Sequence, residues 1–193
     1  MDIATSLYKG KLICLGPIDH EKDAVIEARW TQDAEYLRLV ATKPAVPLSV
    51  AQVQKYYESL EKEMEEGKNS FYFTIRTLPM GAAPADRLVG FITIEFIEWN
   101  HGNGWIVLGI GDANDRGKGY GSEALRLMLH YAFAELNLYR VTTAVPEYCP
   151  AALHLFEKAG FVREVCRRQA LNRDGRYWDL FHLGLLRAEW EKR

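Results

Sequence analysis

The chain has 193 residues, 48% of them hydrophobic and 26% charged, which is typical of one globular domain and predicts a single domain over residues 1–193. Its 24 Lys and Arg against 26 Asp and Glu give a net charge of -2 without a block of like charges, which argues against nucleic acid as a partner. Three widely spaced cysteines fit neither a disulfide framework nor a metal site. Because neither a signal peptide nor a membrane span is recognisable, we expect a cytoplasmic protein.

The first third of the chain predicts a short strand followed by helices. The strand covers residues 11–15, and Asp19 is placed to cap the helix after it. The clearest early helix covers residues 48–66, where Ser49 is a predicted N-cap and apolar residues recur at three- and four-residue steps.

From residue 70 the hydrophobic period changes to two. Residues 70–78, 87–98 and 105–110 read as three strands of an antiparallel meander, with a loop over residues 79–86. A strong helix is predicted over residues 122–138, followed by a strand over 139–145 and a short helix over 151–158. The chain then predicts a hairpin of strands 161–171 and 177–186, turning at Asp174-Gly175.

A glycine-rich loop joins the third meander strand to the strong helix, with five of the chain's 15 glycines between Gly109 and Gly121. Free N–H groups of a first helical turn, approached through glycines, form an anion site suited to a diphosphate. The loop is not a Walker A motif, because the glycine spacing is one residue too long and Gly119, rather than Ser or Thr, follows Lys118.

A dinucleotide-binding fingerprint is the second alternative, with Gly119, Gly121 and Ala124 in its three small-residue positions. Only 72 residues follow Gly121, and they end in a hairpin. A Rossmann fold needs further strand–helix units there, so this alternative is disfavoured.

Residues Arg116 to Gly121 (RGKGYG) carry the pattern Arg or Gln, two residues, Gly, one residue, Gly or Ala. The chain thereby resembles the GNAT family, the GCN5-related N-acetyltransferases. It looks most like the subgroup that acetylates ribosomal-protein N-termini (RimJ/RimL-like), in which E-A follows the loop and E-K-x-G-F follows a later short helix. Those residues are Glu123-Ala124 and Glu157 to Phe161 in this sequence.

The resemblance implies an α/β fold with a mixed, mostly antiparallel sheet, helices on both faces, and a splay between the strands before and after the main helix. Acetyl-CoA would lie in that splay as cosubstrate, and Pro146 would prevent a ladder hydrogen bond across it. The implied cofactor-binding residues are Ile110, Arg116, Gly117, Lys118, Gly119, Tyr120, Gly121, Ser122 and Cys149, with no metal. The backbone amide of Ile110 would stabilise the oxyanion, and Gly109 and Gly111 permit a bulge there.

Three positions depart from the family pattern. Its Asn, Ser and general-acid Tyr fall on Cys149, Ala152 and Phe156.

For the general base, Glu164 is the first candidate, since an acid at that position has this role in N-terminal acetyltransferases. The alternative is that Glu164 is a strand carboxylate paired with Arg163 or Arg167. Glu95 is the second candidate and Glu147 the third. The five histidines are expected on the surface or in the core, outside the catalytic machinery.

We therefore expect an acetyl-CoA-dependent N-acetyltransferase that acts on a primary amine by direct attack in a ternary complex. The alternative is a catalytically weak acyl-CoA-binding or regulatory module. Peptide N-termini, polyamines and aminoglycosides all remain open as acceptors, and the sequence does not decide between a monomer and a homodimer. The Arg-rich final hairpin reads as a solvated surface.

Overall fold

The computed structural model describes residues 6–79 and 86–193. The predicted loop over residues 79–86 lies mostly outside the described residues. One sheet contains seven strands in the order β1-β2-β3-β4-β5-β7-β6. The strands are β1 (Ile13–Gly16), β2 (Phe71–Thr77), β3 (Leu88–Glu98), β4 (Asn103–Ile110), β5 (Arg140–Pro146), β6 (Val162–Arg173) and β7 (Arg176–Leu186). The helices are α1 (Lys22–Trp30), α2 (Ala34–Val40), α3 (Val50–Gly67), α4 (Tyr120–His130), α5 (Pro150–Lys158) and α6 (Arg187–Trp190).

Local signals placed most of these elements. Ser49 forms a capping box with Gln52 at the start of α3, as its sequence predicts, and Asp19 accepts hydrogen bonds from the amides that lead into α1. The short helix α2 was not predicted. Asp33 caps it by accepting a hydrogen bond from the Glu35 amide at 2.8 Å, and this N-cap was the one available signal.

The sheet is antiparallel except where β4 meets β5. These two strands run parallel and pair over only three residues, ending at Trp105 opposite Thr142. The predicted splay is therefore present. It opens four residues before Pro146, so the proline is not what ends the pairing, and the backbone of Pro146 instead lies opposite Leu180 of β7.

Helices cover the two faces of the sheet differently. The apolar side of α4 packs with the interior residues of β3, β4 and β5 in the main core, whose fully buried members include Leu125, Met128 and Ile106. On the opposite face, α1 and α3 pack over β2 around Tyr57 and Tyr72. Even-numbered residues of β4 thus face α4, and odd-numbered residues face the side of α1 to α3.

The main helix is shorter than its sequence predicts. Its α-helical part ends at His130 and continues as a π-helical turn over Tyr131–Glu135, in which the Leu136 amide donates to the Tyr131 carbonyl at 2.9 Å. A wider turn leaves carbonyl groups without helical partners. Arg187 donates to the Phe133 carbonyl in this turn and to the Leu138 carbonyl just after it, which fixes the C-terminal helix α6 against this end of the main helix.

Glu123, in the first turn of α4, ties the glycine-rich loop to the sheet. Its carboxylate accepts hydrogen bonds from the backbone amides of Lys11 (2.8 Å), Leu12 (2.6 Å) and Ile13 (3.0 Å). Burial raises its pKa, but the three amides together with Arg126 outweigh burial and leave the pKa below its ordinary value. The start of β1 is thereby fixed to the start of α4.

We expect Glu123→Gln to lower the free energy of unfolding by about 1–3 kcal/mol, because an amide cannot accept all three hydrogen bonds. Since the folded-state pKa is depressed, the advantage of wild type over the variant is full above pH 4.5 and is lost as pH falls through the folded pKa. Urea unfolding at pH 7 and pH 3 measures both effects.

The matched control is Glu66→Gln, at an exposed carboxylate near the end of α3. It should change stability by less than about 0.5 kcal/mol. Equal effects of the two substitutions would contradict the anchoring role of Glu123.

Candidate active site

The loop between β4 and α4 presents a row of backbone amides. Asp112 caps a 3₁₀ turn over Ala113–Asp115, and Gly119 then takes φ +90° as the N-cap of α4. Within the described chain, no hydrogen-bond acceptor faces the amides of residues 119–122. A helix N-terminus with free amides and no side-chain cap favours a bound anion.

A buried carboxylate holds the loop in shape. Asp115 accepts hydrogen bonds from both terminal nitrogens of Arg87, at 2.6 and 2.9 Å, and from Lys118 at 3.1 Å. The Arg87 guanidinium is the main cause that lowers the pKa of Asp115. Of the predicted phosphate-binding cations, Lys118 is thus held by Asp115 but remains half exposed.

Arg116, the first residue of the motif, also has partners within the protein. It donates to the Gly111 carbonyl at 3.2 Å and lies 3.7 Å from the Asp33 carboxylate and 3.6 Å from that of Glu35. Its guanidinium therefore braces the loop against the start of α2. An anion at this loop would therefore meet mainly main-chain amides.

Gly121, in the first turn of α4, lies close to side chains of β4 and α5. A Cβ atom there would lie 3.5 Å from Leu108 and 3.8 Å from Ile110 of β4, and 3.7 Å from Leu155 of α5. All three distances are ordinary van der Waals contacts. The loop thus lies beside apolar side chains of β4 and α5, and the space between these two elements, next to the splay, is called the slot below.

The edge of β4 offers free amides along this slot. The Gly111 amide donates to Val89 of β3 at 3.0 Å, and β4 keeps one register against β3 from Ile106 to Ile110. Because N–H directions alternate along a strand, the amides of Leu108 and Ile110 point toward β5, beyond the last paired residue. The Ile110 amide therefore faces the splay.

The bulge predicted at Gly109 to Gly111 is absent from the β3–β4 ladder. The register shift lies instead in β3 between Glu95 and Glu98, where Phe96 takes φ +51°. Phe91 and Val40 lie against Gly109, so the small residue makes room for a neighbouring element on the far face of the sheet.

The α5 wall of the slot lacks the expected polar groups. Cys149 is buried at the N-terminus of α5, and burial raises the pKa of its thiol. Phe156 is buried against Phe161, with ring centroids 5.1 Å apart. The thiol is therefore held in its neutral form, and no hydroxyl replaces the tyrosine of the family pattern.

The two carboxylates favoured by the sequence lie on the sheet face opposite α4. Glu95 stands beside Trp105 in the β3–β4 ladder and accepts a hydrogen bond from Thr93 at 2.8 Å. Glu164 lies over Gly184 of β7 and forms a close ion pair with Arg140 of β5. Its partner is thus neither of the two arginines considered from sequence. The third candidate, Glu147, accepts a hydrogen bond from the Asp179 amide.

The tip of the final hairpin contacts α2 and the segment that follows it. Asp174 accepts two hydrogen bonds from Arg38 of α2, at 2.9 and 3.0 Å, and Arg173 donates to the carbonyls of Thr42 and Lys43. Tyr148 adds a hydrogen bond to the Arg38 carbonyl at 3.0 Å. The hairpin is largely exposed, as its sequence predicts, and these contacts fix only its tip against α2 and the segment after it.

Comparison with known proteins shows the family of the chain. The family model described as an acetyltransferase (GNAT) domain matches residues 13–162. The chain belongs to the GNAT acetyltransferase family. It is an acetyl-CoA-dependent acyltransferase with acetyl-CoA as cosubstrate.

Two relatives from Bacillus subtilis illustrate the similarity. The chain is 28% identical over 192 residues to the probable N-acetyltransferase YjcK, covering 96% of this chain and 100% of that protein. It is 32% identical over 108 residues to the uncharacterized N-acetyltransferase YnaD, covering 54% of this chain and 61% of that protein.

The fold also matches a solved structure. Spermidine N-acetyltransferase from Vibrio cholerae, in complex with CoA and spermine, superposes with a TM-score of 0.77 at 20% identity, covering 93% of this chain and 98% of that one. Among the described residues, no cluster of His, Cys, Asp or Glu could hold a metal, and no helix has the length and hydropathy to span a membrane.

Substitutions at Gly121 test the anion site. Gly121→Ala fits the space present, whereas Asn and Asp have nearly the same shape and differ in charge. An acid in the first turn favours the helix but repels a pyrophosphate. We expect Gly121→Asp to bind acetyl-CoA about tenfold more weakly than Gly121→Asn, about 1.4 kcal/mol, by calorimetric titration.

The melting temperature of each variant shows whether folding is affected. Equal affinities of the Asn and Asp variants would place the pyrophosphate away from this helix terminus. Gly121→Ala is expected to retain most of the wild-type affinity.

Proposed function

We propose that the chain transfers the acetyl group of acetyl-CoA to a primary amine by direct attack in a ternary complex. The observation that carries the proposal is the row of unpaired β4 amides, at Leu108 and Ile110, that continues from the anion site into the splay. A diphosphate on the loop would direct the attached chain along this edge, where its amide groups could pair with the strand.

The Ile110 amide is the proposed oxyanion donor. It would donate to the thioester carbonyl oxygen as that oxygen gains negative charge in the tetrahedral intermediate. Since the amide belongs to a strand fixed on its other edge by β3, its position needs no rearrangement during the reaction. The proposed cofactor contacts of residues 117–122 are main-chain contacts.

The acceptor would approach from the face opposite α4. That face carries the Glu95 carboxylate on one side of Trp105 and, toward the hairpin, the Arg38–Asp174 and Arg140–Glu164 ion pairs. A peptide N-terminus combines an amine with carbonyl groups and fits this mixed surface, as the resemblance to the ribosomal-protein N-terminal acetyltransferases suggests. A polyamine, suggested by the Vibrio cholerae relative, offers only cations.

A weak acyl-CoA-binding module is the second candidate. It is favoured by Cys149, Ala152 and Phe156, which leave the slot without the family's polar side chains. If a missing acid limits turnover, Phe156→Tyr should raise it by about 100-fold or more. We expect a change of less than about threefold, measured as CoA release.

The proposed activity is tested by CoA release from acetyl-CoA with three acceptors: an unblocked peptide, spermidine and an aminoglycoside. We expect turnover with the peptide and little with the same peptide carrying a blocked N-terminus. Binding of acetyl-CoA without turnover on any amine would favour the weak module. Failure to bind acetyl-CoA would refute the site assignment.

The two carboxylate candidates are separated by a matched pair of substitutions. Glu95 has no cationic partner among the described residues and is proposed to attract the ammonium form of the acceptor, so Glu95→Gln should raise KM for the amine about threefold to fivefold. Glu164 is occupied by Arg140, so Glu164→Gln should leave both kcat and KM nearly unchanged. A large loss of kcat in Glu164→Gln alone would make Glu164 the base.

A further inference from the structure

His182 lies on the acceptor face at the point where the splay begins. It occupies β7 opposite Ala144, which follows the last β5 residues paired with β4. Its side chain shares the sheet face of Trp105, and the two rings meet edge to face with centroids 5.6 Å apart. The imidazole therefore lies beside the last β4 residue that pairs with β5, where the two strands begin to diverge.

The imidazole has no hydrogen-bonded partner in the described chain. Its Nε2 atom is buried and makes no hydrogen bond, and no carboxylate or carbonyl fixes its other nitrogen. Buried polar atoms in folded proteins are nearly always paired, so an unpaired ring nitrogen beside a substrate slot calls for a functional explanation. The ring contact with Trp105 fixes the orientation of the imidazole without neutralising its basicity.

The charged groups around His182 favour its neutral form. Burial and Arg167 of β6 lower its pKa below the ordinary 6.5. Arg140 and Glu164 lie beyond Gly184 on the same face and compensate one another, and Glu95 lies on the other side of Trp105. At pH 7 the imidazole is therefore available to accept a proton.

We propose that His182 is the group that removes the proton from the acceptor amine and returns it to the departing thiolate. This inference rests on the proposed function. The amine nitrogen forms a bond to the thioester carbon, and its extra proton passes to the imidazole, directly or through one water. The carbon–sulfur bond then breaks, and the imidazolium gives its proton to the CoA thiolate. Amine and thioester thus become amide and thiol, with His182 restored.

This role explains how the slot functions without the family's polar side chains. The α5 wall offers only Cys149, Ala152 and Phe156 near the leaving group. An imidazolium with a pKa below 6.5 readily protonates a thiolate, whose ordinary pKa is about 8.5. One residue on the opposite side of the splay would then act as both base and acid.

The test compares His182→Gln with wild type, using the amine found active in the CoA-release panel. We expect kcat to fall about 100-fold while the acetyl-CoA dissociation constant stays within twofold. In wild type, log kcat should decline below the His182 pKa as the imidazole becomes protonated, and this acid limb should be missing from the variant.

His101→Gln is the matched control, since this histidine is exposed in the turn before β4. It should match wild type at every pH. His182→Asn replaces the Gln variant if the latter's melting temperature falls sharply. A kcat unchanged, or lowered equally at all pH values with the acid limb retained, would overturn the proposal. A wild type inactive on every amine would instead contradict the proposed function.

Discussion

The functional architecture depends on the early end of pairing between β4 and β5. Three parallel residue pairs hold these strands together, and beyond Trp105 and Thr142 they diverge within an otherwise continuous sheet. Unpaired strand amides inside a protein are costly unless they find acceptors. The divergence therefore leaves β4 amides that a ligand with carbonyl groups could pair with.

The neighbouring elements hold this opening from both sides. On the loop side, Glu123 accepts hydrogen bonds from backbone amides and Asp115 pairs with two cations. These contacts hold the glycine-rich turn and leave the amides at the start of α4 free. On the hairpin side, the contacts of Asp174 and Arg173 with α2 and the segment after it brace the acceptor entrance. The surroundings of the splay are thus built from segments that are distant in sequence.

The local parts of the fold were predictable because their causes are local. The capping box at Ser49, the alternating strands of the meander and the Asp174-Gly175 turn each depend on a few adjacent residues. The π-helical end of α4 was not predictable, since apolar periodicity continues through Tyr131 to Leu136 and only the contacts of Arg187 show how the wider turn is accommodated.

The sequence by itself determined the family and the cosubstrate, because the RGKGYG motif and the residues after it carry the family resemblance. It also showed which polar groups of the family pattern are missing from α5. Only the tertiary structure decided what each carboxylate and histidine faces. Glu164 meets Arg140 across β7, and His182 reaches the splay through strand register, because both placements depend on pairing between strands far apart in the chain.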